Sequence, residues 1–371
     1  MERRILTDNL RRLRNIKRMN QAELAKKAGL SRPSYVDIEN GNADPRSSTL
    51  INIANSLGVQ LADFFKPLPS LKHVRFRIAK NMSRRDENNR EQLLQEIAEW
   101  LKDYNEIENI LGKKQEYGFA GYNKKDPIEA AKYARNLLGI GQKEAIRDIC
   151  GLVEKAGIKI YLSGSGIKQY FGLSIGIEDG GPAVCVRVGN DISVERQIFT
   201  LAHEVGHLLL HRGSYDKNEV KENAKEDREA DIFASHFLMP QEGFLNEWND
   251  NNGSFLVNRI LHVKRIFKVS YMTVLMRLRE NKFAEDTIFQ RFAVEYKRLY
   301  GHDLKNHYEP DSVSKYEPEG LAKSDFMENR LNRLVREAYD KELISMDRAA
   351  EILKISIEEM RELNNSWKEA I

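Results

Sequence analysis

The strongest chemical signal in the sequence lies between Phe199 and His211, where His203-Glu204-Val205-Gly206-His207 has the form His-Glu-x-x-His. On a helix, imidazoles four residues apart lie one turn above each other and converge on a single tetrahedral Zn2+. Such an ion lowers the pKa of a water toward about 7 and polarises a peptide carbonyl, and Glu204 beside it is placed to take the water's proton. The chemistry is peptide hydrolysis. Cys150 and Cys185 are the only cysteines and form no Cys-x-x-Cys pair. Neither a disulfide framework nor a thiolate zinc site is expected, so any metal must use His and carboxylate.

These residues need a helix to hold them. At about 100° per residue, His203, His207, Thr200 and Arg196 share one face, and Ile198, Leu201, Val205, Leu208 and Leu209 share the opposite one. One face binds and the other packs. A third ligand is sought on the next helix, Glu226 to Leu238, whose buried face is Ala230, Phe233, Ala234 and Phe237 and which should end near Pro240. Glu226 and Glu229 both flank that face, and periodicity does not choose between them. His211 is eight residues from His203, roughly 12 Å along a helix axis, too far for both to hold one ion. It is read as a cap or a support behind the ligands.

Phe-Thr-Leu-Ala-His-Glu-Val-Gly-His-Leu-Leu-Leu-His (199 to 211), followed by Glu-Ala-Asp-x-Phe-Ala-x-x-Phe-Leu-Met-Pro (229 to 240), resembles the ImmA/IrrE metallopeptidases over roughly Asp126 to Leu278. The resemblance implies an α+β, zincin-like (gluzincin) domain with one Zn2+ per chain. It implies His203 and His207 as ligands, Glu229 as the third ligand and Glu204 as general base. Members of this family relieve repression by cutting a helix-turn-helix repressor, often in mobile elements or stress responses. His236 stands where the family usually carries a small or non-basic residue, and a packing role is preferred to oxyanion stabilisation.

A second constellation lies near the N-terminus. Residues 1–66 hold 12 Lys/Arg against 7 Asp/Glu, although the whole chain carries only +3. A local surplus of this kind is what phosphate contacts need, but a charge run alone is usually a solvated face. Five short helices are expected here. Asn20 to Glu23 reads as a capping box, Gly29 closes a helix, Ser31 with Pro33 opens the next, and Asn40-Gly41 turns the chain after it. Gln21 to Ser31, continuing to Asp37-Ile38-Glu39-Asn40-Gly41, resembles the Cro/repressor (XRE) helix-turn-helix family. That resemblance implies that the helix after Ser31 enters the major groove of double-stranded operator DNA. Ser31, Arg32 and Ser34 are candidate contacts to bases or phosphates, Gln21 and Arg46 to phosphates, and Asp37 either accepts from a cytosine amine or simply repels non-specific DNA. Tyr35 and Ile38 are expected in the core. Such domains usually act as homodimers.

With 371 residues and 41% apolar content, the chain needs several cores. The expected organisation is a multidomain one: an all-α DNA-binding domain (1–67), a helical linker (68–125), the α+β metallopeptidase domain (126–285) and a mainly helical C-terminal region (286–371). The linker helix is placed at Asp86 to Leu111, strands at Ile158 to Leu162, Tyr170 to Ile177 and Ala183 to Val188, and a loop at Asn306 to Pro318. The last two strands offer an edge on which an extended substrate could pair. No stretch approaches about 18 apolar residues and the first residues are charged, so a cytoplasmic location without membrane partners is expected. The sequence thus points to a DNA-binding regulator that is also a zinc metalloendopeptidase, its substrate a repressor or antitoxin-like protein. The rival is a transcription factor that cuts nothing and uses a peptidase-like domain as a sensor or dimerisation module. A DNA-processing hydrolase is a weaker reading, because phosphodiester enzymes favour carboxylate-rich two-metal sites.

Overall fold

The computed structural model describes residues 2–17, 19–66, 69–76, 84–164, 170–216, 218, 223–301, 303 and 321–369. By compactness it divides into two units, one of residues 1–70 with 90–99, the other of residues 71–89 with 100–371.

The first unit contains α1 (Glu2–Ile16), α2 (Gln21–Lys27), α3 (Arg32–Glu39), α4 (Ser47–Leu57) and a 3-10 turn at Leu61–Phe65. The caps expected from sequence are formed. Asn20 accepts from Glu23 N while Glu23 returns the bond, and Ser31 accepts from Ser34 N. Leu10, Leu24, Tyr35, Ile38, Ile53 and Phe64 build one core. Inside it the Glu39 carboxylate accepts from Arg14 at 2.7 Å, from Tyr35 at 3.2 Å and from the Gln21 amide, tying α1, α2 and α3 together.

The second unit opens with a two-residue strand, β1 (Val74–Arg75), which the sequence reading did not contain. The long helix α5 (Arg84–Leu111) follows, and its residues divide between the two units. Next come α6 (Pro127–Leu137), α7 (Ile149–Lys155), β2 (Lys159–Ser163), β3 (Gly172–Ile175) and β4 (Ala183–Arg187). The sheet order is β1-β3-β4-β2, with β2 parallel to β4 and the other neighbours antiparallel. Helices α8 (Val194–Leu210), α9 (Ala224–Leu238), α10 (Gln241–Asp250), α11 (Leu256–Phe267), α12 (Tyr271–Glu280) and α13 (Ile288–Tyr300) complete the α+β body. Its core joins Val184 and Val186 of the sheet to Leu201 and Val205 of α8 and Phe233 and Phe237 of α9.

The C-terminal region is helical, as expected: α14 (Arg330–Asp340), α15 (Met346–Leu353) and α16 (Ile357–Glu369). The Ser356 to Glu359 capping box is formed in both directions. These helices pack on the later part of α5, through Arg348 to Asp103 and Glu106, and through Arg330 to Tyr104 and Glu108. The loop expected at Asn306 to Pro318 lies outside the described residues. Among the described residues no helix is long and apolar enough to cross a membrane.

Candidate metal centre and DNA interface

Helix α8 starts at the Ser193 cap and ends at His211. Its apolar face is buried, as the spacing required. Two glycines set what approaches it. A Cβ on Gly206 would lie 2.9 Å from Phe233 Cδ1, so the glycine lets α9 close onto α8. A Cβ on Gly172 would lie 2.5 Å from Thr200 Cγ2 and 3.1 Å from Glu204 Cγ, so β3 runs directly against the same helix.

That packing brings the two imidazoles together. His203 Nε2 and His207 Nε2 are 3.0 Å apart. The other ring nitrogens are both engaged: His203 Nδ1 lies 2.8 Å from Asp231 Oδ1, and His207 Nδ1 lies 2.8 Å from His211 Nδ1, with His211 Nε2 2.9 Å from Glu229 Oε2. The tautomers follow from the carboxylates at the two ends, which accept only. Asp231 takes the His203 Nδ1 proton. Glu229 takes the His211 Nε2 proton, so His211 Nδ1 accepts from His207 Nδ1. Both Nε2 atoms are then turned toward each other, where a cation or a shared proton can lie between them. Burial lowers the pKa of His211, with Glu229 opposing it, which agrees with a neutral ring in that relay.

The carboxylate that joins the pair is Asp227. Its Oδ1 is 3.4 Å from His207 Nε2, and its Oδ2 is buried with no hydrogen-bond partner. Ligand atoms of His203, His207 and Asp227 all lie within 4.8 Å of one another, the one such group among the described residues. Two imidazoles and one carboxylate are a donor set found in catalytic zinc sites. Glu229, the third ligand implied by the family resemblance, does not join this group, because its carboxylate is turned to His211. Glu226 is held by Ser214 at 2.7 Å and by Arg75 at 2.5 Å. His236 is buried and pairs with Glu280 at 2.9 Å, a packing role.

Glu204 is buried beside the imidazoles. Its Oε2 accepts from Ser174 Oγ at 2.8 Å, which in turn accepts from Tyr215 OH at 2.9 Å. Burial pushes the Glu204 carboxyl above the usual carboxylate range, against the pull of His203, Ser174 and Arg75. Burial works against a His203 cation, but Asp231 and Glu204 outweigh it and the imidazole stands above its ordinary value. Ser174, Tyr215, Asp227, Asp231 and Arg75 were not singled out from sequence. Asp227 and Asp231 carried a usable signal: they are four apart on α9, as the histidines are on α8. The edge expected for substrate pairing is also altered, since β4 is interior and β1 pairs with Ser174 and Ile175 of β3.

In the first unit, Arg32, Ser34 and Asp37 of α3 are exposed, as are Ser31 at its cap and Arg46 at the cap of α4. Tyr35 and Ile38 are buried, as expected. Gln21 is placed differently from its expected role, because its amide is turned inward to Glu39.

Comparison with known proteins bears on both units. Residues 10–64 match the helix-turn-helix family model, and residues 153–279 match that of the M78 peptidases, described as an IrrE N-terminal-like domain. The uncharacterized HTH-type transcriptional regulator YqaE of Bacillus subtilis (strain 168) is 40% identical over 57 residues, which are 15% of this chain and 49% of that protein. The match therefore spans about half the length of that relative and supports the DNA-binding part.

Proposed function

From a chain that carries both a helix-turn-helix domain and an IrrE N-terminal-like peptidase domain, we propose a DNA-bound transcriptional regulator that is also a zinc endopeptidase. Its substrate would be one or a few regulatory proteins, such as a repressor or an antitoxin-like factor. The observation that carries this reading is the convergence of His203 Nε2, His207 Nε2 and the Asp227 carboxylate beside a buried Glu204.

In this reading His203, His207 and Asp227 hold one Zn2+ per chain, with Asp227 in the place expected for Glu229. When bound, the ion supplies Lewis acidity toward a water and a peptide carbonyl. Glu204 takes the proton of the attacking water and delivers it to the leaving amine. Ser174, oriented by Tyr215, fixes the Glu204 rotamer through one oxygen and leaves the other for the water. Asp231 and the His211–Glu229 relay keep the two imidazoles in the tautomers that ligate. On DNA, Arg32, Ser34 and Asp37 would face the major groove from α3, with Ser31 and Arg46 near phosphates.

The test compares wild type with Glu204→Gln by intact and fragment mass spectrometry of regulators co-expressed from the same locus. Defined fragments of one regulator, seen with wild type and absent with the variant, are expected. Regulators that stay whole while zinc and DNA binding persist would favour the rival, a sensor that cuts nothing.

A further inference from the structure

Arg75 sits at an unusual junction. It belongs to β1, just after the DNA-binding helices in the chain and well outside the residues matched to the peptidase family. Its side chain is 2% exposed. Across the β-ladder its register partner is Ser174, the residue that holds Glu204. One guanidinium nitrogen lies 2.5 Å from Glu226 Oε2 and another 2.6 Å from Asp227 Oδ1. The fork therefore bridges two neighbouring carboxylates in the first turn of α9, and it engages Asp227 through one oxygen while the other stays buried and unpartnered.

Two adjacent half-buried carboxylates repel one another and would turn outward to water without a counter-charge. A planar guanidinium can satisfy both and also fix their rotamers, which a lysine ammonium, a point charge on a flexible stem, does less well. Oxygens that ligate a metal are commonly held in this way by hydrogen bonds from behind.

We propose that Arg75 is a positioning residue for the metal centre: through Asp227 Oδ1, the oxygen that lies 3.4 Å from His207 Nε2, it fixes the Asp227 rotamer and so keeps that carboxylate beside the His203 and His207 pair. The role rests on the reading of His203, His207 and Asp227 as ligands. It makes the strand that follows the DNA-binding unit part of the metal site, a contribution lying outside the matched family domain.

The test titrates Zn2+ against a competing chelator, and Co2+ by its visible absorption, into the full-length chain. Wild type, Arg75→Ala, Arg75→Lys, Asp227→Ala, His203→Ala and the double variant Arg75→Ala/Asp227→Ala are compared, with metal-free melting temperatures recorded for each. Arg75→Ala is expected to weaken zinc about 10- to 100-fold and to change the Co2+ spectrum, with Arg75→Lys intermediate. In the Asp227→Ala background Arg75→Ala should weaken zinc no further, because Arg75 acts through the Asp227 carboxylate. If Ala prevents folding, Arg75→Lys carries the test, since it keeps the charge. A role in fold stability alone would lower the metal-free melting temperature while leaving the affinity and the Co2+ spectrum of the folded protein at wild-type values, and that result overturns the proposal. Wild type that binds no zinc, or binds it equally well as His203→Ala, overturns the metal reading itself and Arg75's role with it. Loss on His203→Ala without loss on either Arg75 variant overturns only the latter.

Discussion

Each of the two imidazoles is held from behind by a different acceptor. His203 leans on a single carboxylate, Asp231, whereas His207 leans on His211 and through it on Glu229. Asp231→Asn keeps a hydrogen-bond acceptor at Nδ1 and removes its charge, so zinc affinity should fall by about 10-fold; Asp231→Ala removes both and should approach about 100-fold. Chelator competition on the purified full-length variants measures the difference, and equal affinity in all three proteins would refute the arrangement. Much of this centre was legible in sequence, since His203, Glu204 and His207 announce themselves by four-residue spacing on one helix. The carboxylate that groups with them was not. Resemblance drew attention to Glu229, while the i, i+4 pair Asp227 and Asp231 repeated the histidine spacing unnoticed. Ser174, Tyr215 and Arg75 had no local signal, because their roles arise only from contacts between segments distant in the chain.

At the scale of elements, the site depends on how closely α9 and β3 approach α8. Gly206→Ala sets two effects against each other. Alanine favours the helix by about 1 kcal/mol over glycine. Its Cβ, however, would meet three atoms of Phe233 at 2.9 to 3.3 Å, and overpacking of this sort costs about 1 to 3 kcal/mol. Overpacking should prevail, lowering the melting temperature, and the displaced α9 should carry Asp227 and Asp231 away from the imidazoles. Calorimetry with and without added zinc should therefore show a smaller zinc-induced rise for the variant than for wild type. Helices α8 and α9 and strands β2 to β4 were readable from periodicity and alternation. Strand β1 was not, for two residues are too few to alternate, and it exists as a strand only by pairing with β3.

The whole second unit carries a pH dependence set far from the metal centre. Glu154 of α7 is 3% exposed and accepts from Arg330 N at 3.3 Å, while its other oxygen is buried without a partner. Burial pushes its carboxyl up to about 7 from an ordinary 4.5, and Glu328 is likewise pushed up to about 7 by burial and by Glu154's charge. Between these values the folded chain binds more protons than the unfolded one. Stability is thus fully present below pH 4.5 and is lost as pH rises toward 7. Glu154→Gln should match wild type near pH 4.5 and exceed it by about 2 to 3 kcal/mol at pH 8, read from urea unfolding at both pH values. A constant difference across that range would exclude the assignment. The sequence showed Glu154 only as one acidic residue on a short helix, because its burial comes from the C-terminal segment around Arg330.

Strand β1 bears on how such a chain is inherited. It lies nearest in sequence to the DNA-binding helices, yet its hydrogen bonds and its arginine belong to the peptidase sheet and to α9. A recombination event that exchanged the DNA-binding head for another would keep the peptidase-like body intact only if the crossover fell before Leu71. A new head would still have to suit residues 90–99 of α5, which group with the DNA-binding unit, while residues 71–76 would descend with the peptidase-like body.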